Sequence, residues 1–300
     1  MRAKNLVLGI QHDVLMDKND LIFDGKSDHL KYFFEPKPDS ITTWSPDWLN
    51  KTVVNTINND SLNERYNYIV DKPSNTYRII TIGDSFTYGQ YVQTSDNFSE
   101  LLEDRLNKEI NCPDINKFEV INLGVPGYDV QYTVERFLKR GIKYSPDLVI
   151  WLLNSWDLDK INEIYFPIQN KYYDMGYKPF DELSKTYELS NLVRQYFREK
   201  YTEDKILQYQ KDLMNKLKNI YPEKLAILNF KDTLKYINFI EDYVKDQNNY
   251  RYFPYLTNIM LDKTLVFEDN HPNEKGHQKI AGEIFSLLLK NYLPNCSISN

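Results

Sequence analysis

A short β-branched run followed by a helix-spaced segment recurs along this chain, and that recurrence limits the possible folds more than any other feature. Tyr77-Arg78-Ile79-Ile80-Thr81-Ile82 ends at Gly83 and reads as a buried strand. Phe98, Leu101, Leu102, Arg105 and Leu106 then fall at helical spacing, with Asp96 or Asn97 placed to cap the first turn. Phe118 to Leu123 is a second strand, and Val130, Val134, Phe137 and Leu138 mark a helix ending at Gly141. Asp147 to Leu153 is a third, fully buried strand. Strands joined by helices imply right-handed crossovers and a parallel sheet covered on both faces, which predicts an α/β fold built as a three-layer α/β/α sandwich.

After Asn154 the pattern lapses into about fifty residues rich in Tyr, Phe and Asn, then resumes with an amphipathic helix from Thr202 to about Ile220. Lys224 to Phe230 is the next strand, Asp232 can cap the helix carrying Leu234, Ile237, Ile240 and Val244, and Leu261 to Phe267 is expected as a last short strand. A final helix runs from Glu274 to Tyr292. Ahead of Tyr77 the chain is polar and broken by Pro36, Pro38, Pro46 and Pro73. The expected organisation is therefore an irregular arm over residues 1–75, pinned by Tyr32, Phe33, Phe34, Trp44, Trp48 and Leu62, on a core over 76–300 with an insertion at about 158–201.

Three hundred residues at 41% apolar content can bury a full core. The net charge of −6, without a basic run long enough to follow a phosphate backbone, argues against nucleic acid as a partner. Cys112 and Cys296 lack CxxC spacing and read as free thiols, with one distant bridge as the alternative. The apolar run after Lys4 stops at Ile10, too short for a secretory leader, and no stretch is long enough for a membrane span. The expected compartment is the cytoplasm, and nothing points to an oligomeric state.

In a parallel sheet, functional groups gather at the carboxyl ends of the strands. Gly83-Asp84-Ser85 directly follows the first strand, so Ser85 sits near a helix N-terminus, where free N–H groups favour developing negative charge; as an isolated tripeptide it reads equally as a helix cap. The second strand runs into Asn122-Leu123-Gly124-Val125-Pro126-Gly127-Tyr128, a tight turn able to bring a backbone N–H to a carbonyl oxygen. Asn154 ends the third strand with an amide able to donate to the same oxygen. Before the last helix, His271 stands beside Glu268 and Asp269, a partner arrangement suited to a general base for serine, with Asn273 capping the helix. His277 lies one turn inside that helix and reads as a packing or hydrogen-bonding residue. A metal site at His271 and His277 lacks a third soft ligand nearby, and no phosphate-binding glycine motif follows the first strand.

Together these blocks resemble the SGNH/GDSL hydrolase family across Tyr77 to Leu293. Gly83-Asp84-Ser85 is similar to its first block, Gly127 to its glycine, Asn154 to its asparagine, and His271-Pro272-Asn273 with Gly276-His277 to its closing block. The resemblance implies a flavodoxin-like sandwich, hydrolysis of acyl esters without metal or cofactor, Ser85 and His271 as nucleophile and base, and an oxyanion hole from the N–H groups of Ser85 and Gly127 with an asparagine side chain. Two positions depart from the family. Its asparagine usually stands directly before an aspartate, yet here Trp156 precedes Asp157. Its acid usually lies three residues before the histidine, where this chain has Glu268, whereas Asp269 has a spacing that resembles O-acetyltransferase relatives of alginate biosynthesis. Asp269 is preferred and Glu268 is the alternative.

The expected activity is serine-dependent hydrolysis of O-acetyl or short-chain esters, on a small molecule or a glycan. The same site passing its acyl group to a sugar, and a catalytically silent glycan-binding protein marked by Trp156, are the alternatives. Tyr165, Phe166, Tyr172, Tyr173, Tyr177 and Phe180 of the insertion read either as a rim gripping substrate or as surface packing.

Overall fold

A computed structural model describes residues 21–22, 30–174, 183–230, 234–256 and 259–299. Its strands are β1 (Ser40–Trp44), β2 (Val53–Ile57), β3 (Thr76–Gly83), β4 (Lys117–Asn122), β5 (Leu148–Leu152), β6 (Leu225–Phe230) and β7 (Tyr250–Leu256). Its helices are α1 (Ser85–Tyr88), α2 (Phe98–Glu109), α3 (Val130–Arg136), α4 (Ser155–Leu158), α5 (Asn162–Asp174), α6 (Leu183–Lys200), α7 (Glu203–Ile220), α8 (Leu234–Val244) and α9 (Glu274–Asn291).

The five strands β3 to β7 form one parallel sheet in the order β7-β6-β5-β3-β4. Alternation along each strand sends side chains to two faces. Ile79, Val120, Ile150 and Leu228 meet Phe98, Leu102 and Leu106 of α2 and Ile280, Ile284 and Leu288 of α9 on one face. On the other, Ile80, Ile121, Trp151 and Ile227 meet Val134 of α3, Met214 and Leu217 of α7 and Ile240 of α8. This is the three-layer α/β/α sandwich that strand–helix alternation predicts. The chain leaves β3 for β4 on one side and then crosses to β5 on the other, so the crevice outside the carboxyl ends of β3 and β5 is the natural place for a ligand.

Three elements differ from expectation. The last strand is Tyr250–Leu256, not Leu261 to Phe267, where a short 3-10 turn over Ile259–Leu261 leads into a loop. Pro254 disguises β7, but an edge strand tolerates proline because one row of its backbone groups has no ladder to join. The insertion holds helices α5 and α6 in place of unpatterned chain. Ahead of β3, Ser40–Trp44 and Val53–Ile57 pair antiparallel where irregular chain was expected, with Thr42, Trp44, Val53, Asn55 and Ile57 turned inward. Asp232 lies outside the described residues, as do Tyr177 and Phe180 and the side chains of Tyr172 and Tyr173. Tyr165 and Phe166 are buried, packed with Phe33, Phe34, Trp44, Tyr88, Tyr128 and Tyr132, and so form core rather than rim.

The cysteines are also corrected. Cys112 and Cys296 form a disulfide that ties the chain after α9 to the chain after α2, beside a short pairing of Ser297–Ile298 with Ile110–Asn111. Their 184-residue separation hides the pairing from any local spacing rule, whereas the packing of α2 against α9 brings the two Cα atoms to 4.3 Å.

Candidate active site

Sheet register sets the site. Thr81 pairs with Asn122 of β4 and with Ile150 of β5, so the ends of all three strands stand side by side. Asp84 caps α1, its carboxylate accepting from the Phe86 N–H at 3.0 Å, which leaves Ser85 as the first helical residue. Asn122 fastens the neighbouring turn, donating from its amide to the Thr87 carbonyl at 2.9 Å and accepting from the Gly124 N–H at 2.9 Å. Gly124 is required there: a Cβ would stand 2.6 Å from the Thr87 carbonyl carbon and closer still to Tyr88 N.

Ser85 Oγ lies 2.8 Å from His271 Nε2, and His271 Nδ1 lies 2.8 Å from Asp269 Oδ2. The other Asp269 oxygen accepts from the His271 backbone N–H at 3.0 Å, so one carboxylate fixes both the ring and the main chain of the histidine. Glu268 is exposed and turned to solvent. A proton on Nδ1, held by Asp269, leaves the Nε2 lone pair for the serine hydroxyl. Phe86 stacks on the imidazole at 4.8 Å and Tyr91 meets it edge-on at 5.2 Å, covering two sides of a ring that stays partly exposed.

The segment ahead of β3 reaches this loop. Trp48 packs on Tyr91 at 4.9 Å and on Phe267 at 6.2 Å, and Lys51 lies over Phe267 while pairing with Glu274 at the start of α9. Phe267 N in turn donates to the His271 carbonyl at 2.7 Å. Asn63 adds a bond to α1, donating to the Tyr88 carbonyl at 2.8 Å.

The three expected oxyanion donors can be placed individually. Among the described residues, no hydrogen bond engages the N–H of Ser85 or of Gly127. Asn154, 1% exposed, has no partner for its amide nitrogen; its backbone N–H donates to Asp157 at 3.1 Å. Trp156, at the position of the family asparagine, donates from its indole to Asp84 Oδ2 at 2.5 Å and packs on Phe86 at 5.1 Å. Burial pushes the Asp84 carboxyl up despite these donors, and burial, then the nearby Asp84 charge, pushes Asp157 well up.

His277 is structural. Its Nδ1 accepts from the Phe98 N–H at 3.2 Å, its ring stacks on Phe98, and burial, then the neighbouring His271, lowers its pKa to about 3. Among the described residues no group of three His, Cys, Asp or Glu is arranged to hold a metal ion.

Sequence reasoning missed Lys160 and Asn162, which both donate to the Gly127 carbonyl at 2.9 Å. It also missed Gln210, which donates to the Lys160 carbonyl at 2.8 Å from the buried stripe of α7. A signal existed only for Gln210, a polar residue at i+4 from Ile206 on an otherwise apolar face.

No curated protein matches the sequence significantly. Among solved structures, a psychrotrophic esterase from Pseudoalteromonas sp. is 16% identical over 72% of this chain and 97% of that one, with a TM-score of 0.46. A lipase/acylhydrolase from Enterococcus faecalis is 12% identical over 71% and 95%, with a TM-score of 0.43. An acetylxylan esterase from Geobacillus stearothermophilus, solved as a catalytic mutant, is 14% identical over 70% and 93%, also at 0.43. The profile of the GDSL-like lipase/acylhydrolase family matches residues 81–279, from the end of β3 just ahead of Ser85 to the helix that follows His271. The chain belongs to the GDSL-like lipase/acylhydrolase family, and is a carboxylic ester hydrolase of that type.

Proposed function

We propose that this protein hydrolyses short acyl esters, O-acetyl esters above all, through Ser85, His271 and Asp269. The observation that carries the reading is the hydrogen-bonded line from Asp269 through His271 to Ser85, both links at 2.8 Å. His271 takes the hydroxyl proton as Ser85 Oγ attacks the ester carbonyl, and returns it to the departing alcohol. Water then attacks the acyl-serine with His271 again as base, releasing the acid and restoring the hydroxyl. The N–H groups of Ser85 and Gly127, with the Asn154 amide, receive the negative charge of each tetrahedral intermediate. Their lack of other partners supports this assignment. Restriction to short acyl groups is supported by crowding: Ser85 is 9% exposed, and Phe86, Trp156, Phe230 and Tyr91 pack around the imidazole side of the site.

The cytoplasm was the sequence-based expectation for its location. The Cys112–Cys296 disulfide supports an oxidising compartment instead, since such bridges are rare where thiols are kept reduced. No helix among the described residues is long and apolar enough to cross a membrane.

The test is the rate of p-nitrophenyl acetate hydrolysis by the wild type, Ser85→Ala and His271→Ala, with folding of each checked. Both substitutions are expected to lower kcat by roughly 10⁴-fold or more, because the members of such a unit fail together. Equal rates in the wild type and Ser85→Ala would remove the nucleophile assignment. Acetate release from an acetylated glycan, scored in the same variants, tests the carbohydrate ester class.

A further inference from the structure

Glycine adopts either sign of φ, so nothing in Gly127 itself decides where its N–H points. It has φ +81°, and the turn around it is held from outside. Lys160 Nζ and Asn162 Nδ2 both donate to its carbonyl at 2.9 Å, while Tyr128 N donates to the Val125 carbonyl at 3.3 Å. Asn162 is itself fixed: it is fully buried, and its backbone N–H donates to Asp129 Oδ2 at 2.5 Å. The other Asp129 oxygen accepts from Tyr132 N at 2.9 Å and so caps α3. Gln210 holds the chain just ahead of Asn162, donating to the carbonyls of Leu158 and Lys160 at 3.2 and 2.8 Å. The clamp therefore stands on two helices, α3 and α7, that pack on the sheet.

We propose that Lys160 and Asn162 are positioning residues of the oxyanion hole, fixing the direction of the Gly127 N–H through its carbonyl, with the Lys160 ammonium adding positive charge behind it. This rests on the reading of Ser85 as nucleophile and Gly127 as oxyanion donor. The nitrogen and carbonyl oxygen of one residue are about 3–4 Å apart by covalent geometry, which places the ammonium within about 7 Å of the Gly127 nitrogen. The same ammonium acts on Asp84, Asp129 and Asp157, the buried carboxyls on this side of the site. A donor whose direction is set before reaction costs no reorganisation when charge develops, so loosening the clamp should weaken the transition state more than the bound ester.

The experiment compares Lys160→Met, which keeps most of the stem but loses donor and charge, with Lys160→Arg, which keeps both. For p-nitrophenyl acetate, Lys160→Met is expected to lower kcat about 10-fold with KM changed less than about 2-fold, short of the 10²–10³ seen when a donor is removed outright. Lys160→Arg should recover most of that loss. An unchanged kcat in Lys160→Met, a loss confined to KM, or a loss that arginine leaves unrepaired would each overturn the inference. Hydrolysis that persists in Ser85→Ala would instead overturn the reading beneath it, so the two failures are distinguishable.

Discussion

Removing the disulfide should cost much stability and little activity. Cys112 and Cys296 close a loop spanning 184 residues, and the chain-entropy relation for a cross-link gives about 5 kcal/mol for a loop of that length. At roughly 2 °C per kcal/mol for a chain of this size, reduction or the Cys112→Ser/Cys296→Ser variant should lower Tm by about 10 °C. The bridge sits beyond the far end of α9, an 18-residue helix whose length at 1.5 Å per residue is about 27 Å, while His271 precedes its near end. Esterase activity at 25 °C should therefore survive reduction, provided the protein is still folded. Differential scanning calorimetry with and without reductant measures the shift, and thiol titration of the unfolded, unreduced protein gives the count directly. Two titratable thiols, or a Tm indifferent to reductant, would refute the reasoning at its first step.

Two further perturbations probe the frame around the site. Burial would raise the Glu35 carboxyl, but Arg136, Arg140 and Lys139 hold it down at about 2 against an ordinary 4.5, a difference worth about 3 kcal/mol at 1.36 kcal/mol per unit. Because the folded-state value is depressed, that stability is present above pH 4.5 and lost as pH falls toward 2; Glu35→Gln, which strands the buried Arg136, should destabilise by about 3–5 kcal/mol at pH 7 and flatten the acid limb of a Tm-against-pH curve. An acid limb identical to the wild type would count against the ion pair. Gly124→Ala forces a methyl against the backbone of α1, so it should displace Ser85 and lower kcat by about 10²-fold even where the protein remains folded, as measured by the same ester assay with a folding control. Wild-type kcat would show that the turn can move away without disturbing Ser85.

What the sequence made legible was what sits in contiguous residues. β3, β4 and β5 announce themselves because strands buried on both faces carry unbroken β-branched and aliphatic runs, and the ends of those strands then locate Ser85, Gly127 and Asn154. Asp269 and His271 were readable as a pair two residues apart, although the choice of Asp269 over Glu268 needed the turn that brings its carboxylate back to the ring. β7 was not legible, because at the sheet edge Arg251 and Pro254 are tolerated and erase the signal. Nor were Lys160 and Asn162, whose common partner is a carbonyl more than thirty residues earlier, supplied by a crossover that no local period encodes.

The substitution of Trp156 for the family asparagine gains a physical meaning from its bond to Asp84. An indole has one N–H, and here the Asp84 carboxylate holds it, so Trp156 has no second donor for a substrate oxyanion. Asp84 in turn caps α1 through the Phe86 N–H, which makes the tryptophan a brace on the helix that presents Ser85. In the proposed mechanism the part of the family amide falls to groups at the same strand ends, the unbonded Asn154 amide nitrogen and the Gly127 N–H held by Lys160 and Asn162. Trp156→Phe keeps an aromatic ring beside Phe86 but removes the N–H together with the five-membered part of the indole. On this argument it should lower kcat by releasing Asp84, and its loss should be non-additive with that of Asp84→Asn, because both break one bond. Fully additive losses would assign the indole a separate part in the reaction.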